Sequence, residues 1–170
     1  VFFAQDPSGI GAVAPLLAPL PERILNRVEQ RFRSPDGKWV GISGRARTVA
    51  YNTKKLSEVD LPDDIWDFTD PKWQGRIGWA PTNGSFQAMV AAMRVLWGEE
   101  KTRKWIEGIQ ANKPKAYSAN TPIVAAVGAG EIAVGFVTHY YLFRFLSERG
   151  EAFPVRNYHP RAGGPGESRA

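Results

Sequence analysis

The chain has 170 residues, 43% hydrophobic and 23% charged, and its 22 basic and 17 acidic side chains leave a net charge of +5; such a composition excludes a disordered or fibrous polypeptide. It has no cysteine, which excludes thiol catalysis, disulfides and cysteine-ligated zinc. No apolar run approaches the roughly 20 residues that cross a bilayer, and the positive excess favours anionic partners without identifying them.

Val1 to Ala4 is a short apolar run of the kind that forms an interior strand, and Gln5 to Gly9 follow as a loop at its carboxyl end. Short helices are expected over Gly11 to Ala14 and over Pro21 to Arg31, the second with proline at its first turn. Arg23, Arg27 and Arg31 recur every fourth residue and so form a stripe on that helix. With Arg33 and Phe32 beside them they could serve as a nucleic-acid footprint, but the spacing favours a solvated helix face. Ser34 to Gly37 form a turn into a strand at Trp39 to Ser43. Arg47 to Asn52, β-branched and aromatic, is a further strand. A short helical segment around Trp66 and a turn from Asp70 to Trp73 lead to a strand over Arg76 to Trp79.

The loop Pro81 to Ser85 feeds an apolar-periodic helix over Phe86 to Trp97, and Glu100 to Ala111 is the next helix. Asn120, Thr121 and Pro122 open a helix over Ile123 to Val127 that Gly128 and Gly130 end. Ile132 to Val137 is an apolar strand running directly into His139, Tyr140, Tyr141 and a helix over Leu142 to Arg149. The alternation of strand and helix predicts an α/β fold with a mostly parallel sheet and flanking helices.

Three loops precede predicted helices: Thr82 to Ser85, Ala119 to Thr121 and Thr138 to Tyr141. Backbone N–H groups and positive helix ends then converge on one sheet edge, a place for an anion, although each loop alone also reads as an ordinary helix cap. The sharper signal is the tyrosine pair. In a regular strand Tyr140 and Tyr141 would point to opposite faces; at a strand-to-helix switch both phenols can reach one point. A ferric ion there would draw the phenols into phenolate form at neutral pH. The competing use is one ring packed in the core and the other hydrogen-bonded by its hydroxyl. His139 and His159 read as surface or packing residues. With two histidines and no carboxylate couple at diagnostic spacing, the sequence carries no catalytic triad or HExxH-type motif, so no enzyme activity is expected.

Several blocks, in this order along nearly the whole chain, resemble the ferric-ion-binding members of the type II periplasmic binding proteins, the substrate-capturing components of iron ABC transporters. They are Val1 to Asp6, Leu17 to Pro21, Ser43 to Arg47 with Tyr51 to Thr53, Gly75 to Phe86, Asn120 to Val137, and His139-Tyr140-Tyr141. The resemblance implies a two-lobed protein outside the cytoplasm, in the periplasm, that closes on Fe³⁺ and passes it to a membrane permease. It implies Tyr140 and Tyr141 as metal ligands and a synergistic phosphate or carbonate held by Asn83, Gly84, Ser85, Asn120 and Thr138. Gln5 and Asp6 fall where relatives carry a first-lobe glutamate ligand, and Phe86 falls where some carry a further tyrosine. Residues 1–46 correspond to part of the first lobe, 47–153 to a nearly complete second lobe and 154–170 to a return segment toward the first. The chain is thus expected to be truncated at both ends and without its signal segment. The first-lobe remnant is expected to pack against another surface, such as a second copy in a homodimer. Nucleic acid is not an expected partner. Thiamine, polyamine and organophosphonate binders share the architecture and supply the alternative ligands.

Overall fold

A computed structural model describes residues 1–5 and 7–160, and the chain divides into two compact units, Val1–Gly44 and Arg45–Ala170. In the smaller unit, helix α1 (Pro7–Val13) starts earlier than its apolar spacing suggests, with proline at its first position. Helix α2 (Glu22–Leu25) is much shorter than the predicted Pro21 to Arg31. The Arg33 guanidinium explains the stop: it donates to the Leu25 carbonyl at 3.0 Å and to Asn26 Oδ1 at 2.9 Å, satisfying the helix end there. Arg23, Arg27 and Arg31 are therefore exposed without sharing one helical stripe, and Arg31 pairs with Glu29 at 2.9 Å. The turn at Ser34 to Gly37 forms as expected. Ser34 Oγ accepts from the backbone of Lys38 and Trp39, and Gly37 takes a φ of 69° that a side chain would resist.

Neither strand predicted for this unit forms. Val1 to Ala4 is irregular and exposed, and Trp39 to Ser43 makes only the isolated bridge Arg33 to Val40. Apolar residues specify a strand only when a neighbouring segment pairs with them over several positions; among the described residues Val1 to Ala4 has no such pairing and Trp39 to Ser43 has one bridge.

The larger unit holds, in chain order, strand β1 (Arg47–Asn52), strand β2 (Ile77–Trp79), helix α3 (Gly84–Trp97), helix α4 (Glu99–Ala111), strand β3 (Lys115–Ala116), helix α5 (Asn120–Ala129), strand β4 (Val134–Thr138), helix α6 (Tyr141–Arg149) and strand β5 (Val155–Tyr158). Short 3₁₀ turns, among them Ile65–Thr69, link β1 to β2. The strands form one sheet in the order β3-β2-β4-β1-β5. β2 runs parallel to β3 and to β4, whereas β1 is antiparallel to both β4 and β5. Four strands thus share one direction and β1 alone opposes them. The shared direction of four strands is what a mostly parallel arrangement expects, but the ladders divide into two parallel and two antiparallel, so the sheet is mixed, with β3 and β5 as edge strands that the local sequence pattern does not mark.

Alternation along the strands sorts the core into two layers. Val49 and Tyr51 of β1 and Val134 and Phe136 of β4 face one buried cluster, which Phe68, Trp73, Met89, Met93, Trp105 and Ile109 complete beneath α3 and α4. Ala50 of β1 and Val137 of β4 face the other, with Ile123, Val124 and Val127 of α5 and Leu142 and Phe145 of α6. Close approach of α5 depends on Gly135 in β4, where a Cβ would collide with the Ile123 Cγ2 methyl.

The reversal of β1 fixes what meets at one edge. The carboxyl ends of β2, β3 and β4 point there, the helices α3, α5 and α6 begin there, and the register Arg47 to Thr138 brings the amino end of β1 to the same place.

Candidate functional site

Residues predicted from separate loops converge at this edge. Asn83 caps α3: its Oδ1 accepts from Ser85 N at 3.1 Å and from Ser85 Oγ at 2.6 Å. Asn120 is buried at the start of α5, and its Oδ1 accepts from the Thr138 backbone N–H at 3.3 Å. The Asn120 amide nitrogen lies 3.4 Å from Ser85 Oγ and 3.5 Å from Asn83 Oδ1; Thr138, also buried, has its hydroxyl 3.5 Å from Ser85 Oγ. Gly84 opens α3 between the two polar side chains. The neighbouring loop residue Thr82 is exposed and Thr121 half-buried.

At the centre is a residue that the sequence places at the start of a strand and at the end of the Ser43 to Arg47 block. One guanidinium nitrogen of Arg47, Nη1, donates to Ser85 Oγ at 3.1 Å, Asn120 Oδ1 at 3.1 Å and Thr138 Oγ1 at 3.2 Å, while Nη2 donates to the Phe136 carbonyl at 2.9 Å. Its Nε is buried without a hydrogen-bond partner, and it forms no ion pair among the described residues. Burial pushes the guanidinium down to about 10, against the opposing pull of the Tyr141 phenol, so it stays charged at neutral pH. An arginine opening a hydrophobic strand was the available signal; only the direction of β1 shows where it ends up.

The tyrosines occupy the switch from β4 to α6. Tyr140 is the residue just before α6 and Tyr141 its first residue, and their rings stack with centroids 4.4 Å apart and planes at 26°. Tyr141 is half-buried against the cluster containing Leu142 and Phe145; Tyr140 is 38% exposed. The rings therefore lie together instead of on opposite faces, although Tyr141 also contributes to packing. Burial, and after it the neighbouring Tyr141, raise the Tyr140 phenol above its ordinary value, with the Arg45 guanidinium, 5.8 Å from its ring centroid, pulling the other way.

His139 is tied to the chain: its Nδ1 lies 3.2 Å from the Ala46 N–H and 3.3 Å from the Ala46 carbonyl, and its backbone N–H donates to that carbonyl at 3.0 Å. Phe86 is buried edge-on to Trp79 with ring centroids 5.7 Å apart. Gln5 is exposed on the Val1–Gly44 unit, and Asp6 lies outside the described residues. Among the described residues no three histidines, aspartates or glutamates cluster as a metal site would need. The phenols of Tyr140 and Tyr141 lie at this edge, with the half-buried Arg47 guanidinium near Tyr141.

The profile of one family, described as bacterial extracellular solute-binding protein, matches residues 11–164. The major ferric iron-binding protein of Neisseria meningitidis is 37% identical over 165 residues, covering 95% of this chain and 48% of that protein. The Fe(3+)-binding periplasmic protein of Serratia marcescens is 38% identical over 138 residues, 81% of this chain and 40% of that protein. Among solved structures, iron-bound HitA from Pseudomonas aeruginosa superposes with a TM-score of 0.88 at 34% identity, covering 96% of this chain and 53% of HitA. The chain spans about half the length of these relatives.

Proposed function

The chain belongs to the bacterial extracellular solute-binding proteins, and we propose that it forms part of a periplasmic receptor that captures ferric ion for an ABC transporter permease. The observation that carries this reading is the stacked Tyr140 and Tyr141 pair at the mouth of a donor-lined sheet edge. Ferric ion is the cargo here. The names of the relatives, which bind ferric iron, support that choice over an organic ligand.

The chemistry follows from the residues. In the iron-free protein, burial and the mutual influence of the two phenols favour the protonated form of Tyr140, which avoids placing phenolate charge at the edge before it is needed. A trivalent cation reverses that preference and converts both phenols into hard oxygen ligands. Two phenolates leave the ion short of negative charge and of coordinating oxygens, and an oxyanion such as phosphate or carbonate supplies both. Asn83, Gly84, Ser85, Asn120 and Thr138 form the anion subsite, with the N-termini of α3 and α5 contributing positive dipole ends. Residues 47–153 act as one lobe of the receptor and 1–46 as part of the other; of the return segment 154–170, Val155–Tyr158 form β5 and residues 161–170 lie outside the described residues. Binding without chemical turnover suffices for this role.

Ferric nitrilotriacetate titrated into the intact protein, any residues beyond this chain included, should produce a visible phenolate-to-iron absorption band that phosphate strengthens. The double change Tyr140→Phe with Tyr141→Phe should abolish it. A wild-type protein that stays colourless throughout would overturn the reading.

A further inference from the structure

Resting on the reading just given, we infer that Arg47 is a positioning residue: by taking the oxygen lone pairs of Asn120 and Thr138, with Ser85 as their anchor, it leaves the donors of those two side chains for an oxyanion and makes the subsite selective for one. A guanidinium carries N–H donors and no acceptor. Every polar group that meets Arg47 must therefore present an oxygen to it, and the contacts at Ser85 Oγ, Asn120 Oδ1 and Thr138 Oγ1 all have that sense.

Asn120 is decided most firmly. Its Oδ1 serves both Arg47 and the Thr138 backbone N–H, so the amide cannot flip without setting donor against donor. The Nδ2 group then faces away, and its protein acceptors stand at 3.4 and 3.5 Å, too far to satisfy it well. Thr138 repeats the pattern: a lone pair goes to Arg47, and the hydroxyl hydrogen finds only Ser85 Oγ at 3.5 Å. Ser85 differs, because its hydroxyl donates to Asn83 Oδ1 at 2.6 Å, so it anchors the cluster and leaves donation to the other two.

Charge adds to polarity. Arg47 is half-buried, the oxygens it donates to are neutral, and its Nε has no hydrogen-bond partner. A cation held away from water without a counter-charge is costly, and an anion on those under-satisfied donors offsets it. A cation or a neutral acceptor-poor ligand gains nothing from either feature.

The test compares Arg47→Gln and Arg47→Lys with wild type in the intact protein, reading the concentration of inorganic phosphate that half-saturates the iron band. Arg47→Gln removes the charge and lets Asn120 flip; the iron band should persist at saturating phosphate, with half-saturation shifted upward about tenfold or more, the scale of one charge-assisted hydrogen bond. Arg47→Lys keeps the charge without the fork and should fall between. Half-saturation equal to wild type in Arg47→Gln would overturn the assignment. If Arg47→Gln does not fold by circular dichroism, Arg47→Lys decides: a wild-type phosphate requirement there overturns it and a raised one supports it. A wild-type protein with no iron band would instead defeat the function reading, leaving that failure separate from this one.

Discussion

At the residue scale, the proposed role sets protons and metal in competition for the same phenolic oxygens. Each phenol that binds iron releases a proton, so apparent iron affinity should fall on acidification by up to about two log units per pH unit while both tyrosines are ligands. Tyr140→Phe should reduce that slope to about one, measured by competition against a chelator whose own protonation is known. A slope unchanged by the substitution would remove Tyr140 from the ligand set. The iron-free protein responds in the alkaline range. Because burial and Tyr141 raise Tyr140, the fold favours its protonated form. Its contribution to stability is complete below the ordinary tyrosine value of about 10 and is lost as pH climbs through the higher folded value. Thermal melts of iron-free protein should therefore lose more stability above pH 10 in wild type than in Tyr140→Phe.

At the element scale, the beginning of α3 has two tasks that substitutions can separate. Asn83 caps the helix by accepting from Ser85 N, so Asn83→Ala should cost about 1 kcal/mol in urea unfolding. Asn83→Asp keeps an accepting oxygen, and a negative charge suits a helix N-terminus, so stability should survive. The same charge repels an oxyanion, and phosphate binding should weaken; equal phosphate binding in wild type and Asn83→Asp would place the anion elsewhere. The packing of α5 on the sheet is equally specific. A Cβ at Gly135 meets the Cγ2 methyl of Ile123, which is fully buried and branched at Cβ and so cannot move that methyl aside easily. Gly135→Ala should destabilise by about 1–3 kcal/mol. Combining it with Ile123→Ala should cost less than the sum of the two, because the second change removes the obstructing methyl.

At the scale of the whole molecule, the two units differ in how they are held. Every buried hydrophobic side chain among the described residues belongs to Arg45–Ala170, whereas Ser34 is the buried residue of Val1–Gly44. Removal of apolar surface from water is the dominant stabilising term in folding, so the larger unit carries nearly all of it in this 170-residue chain. Amide hydrogen exchange should show strong protection in β1, β2 and β4 and in α5, and weak protection through residues 1–44. Comparable protection in both would contradict this distribution. Exposed ion pairs such as Arg103 with Glu107 and Arg144 with Glu148 contribute little, and added salt should barely change the melting temperature.

The sequence by itself determined the long helices, the strands β1, β2 and β4, the capping loops and the tyrosine pair at a strand-to-helix switch, because periodicity, caps and turn residues act over a few neighbouring positions. The termini of α3, α4 and α6 fell within two residues of expectation for that reason. Pairing between strands is a different kind of information. Val1 to Ala4 and Trp39 to Ser43 have strand-like residues but no strand beside them, so their local pattern came to nothing, while Lys115–Ala116 and Val155–Tyr158 became strands through the neighbours that reached them. Only the tertiary structure decided that β1 runs against the other four strands. That reversal carries Arg47 to the edge where Ser85, Asn120 and Thr138 meet, across 38, 73 and 91 residues of chain, distances over which no local rule of side-chain spacing operates.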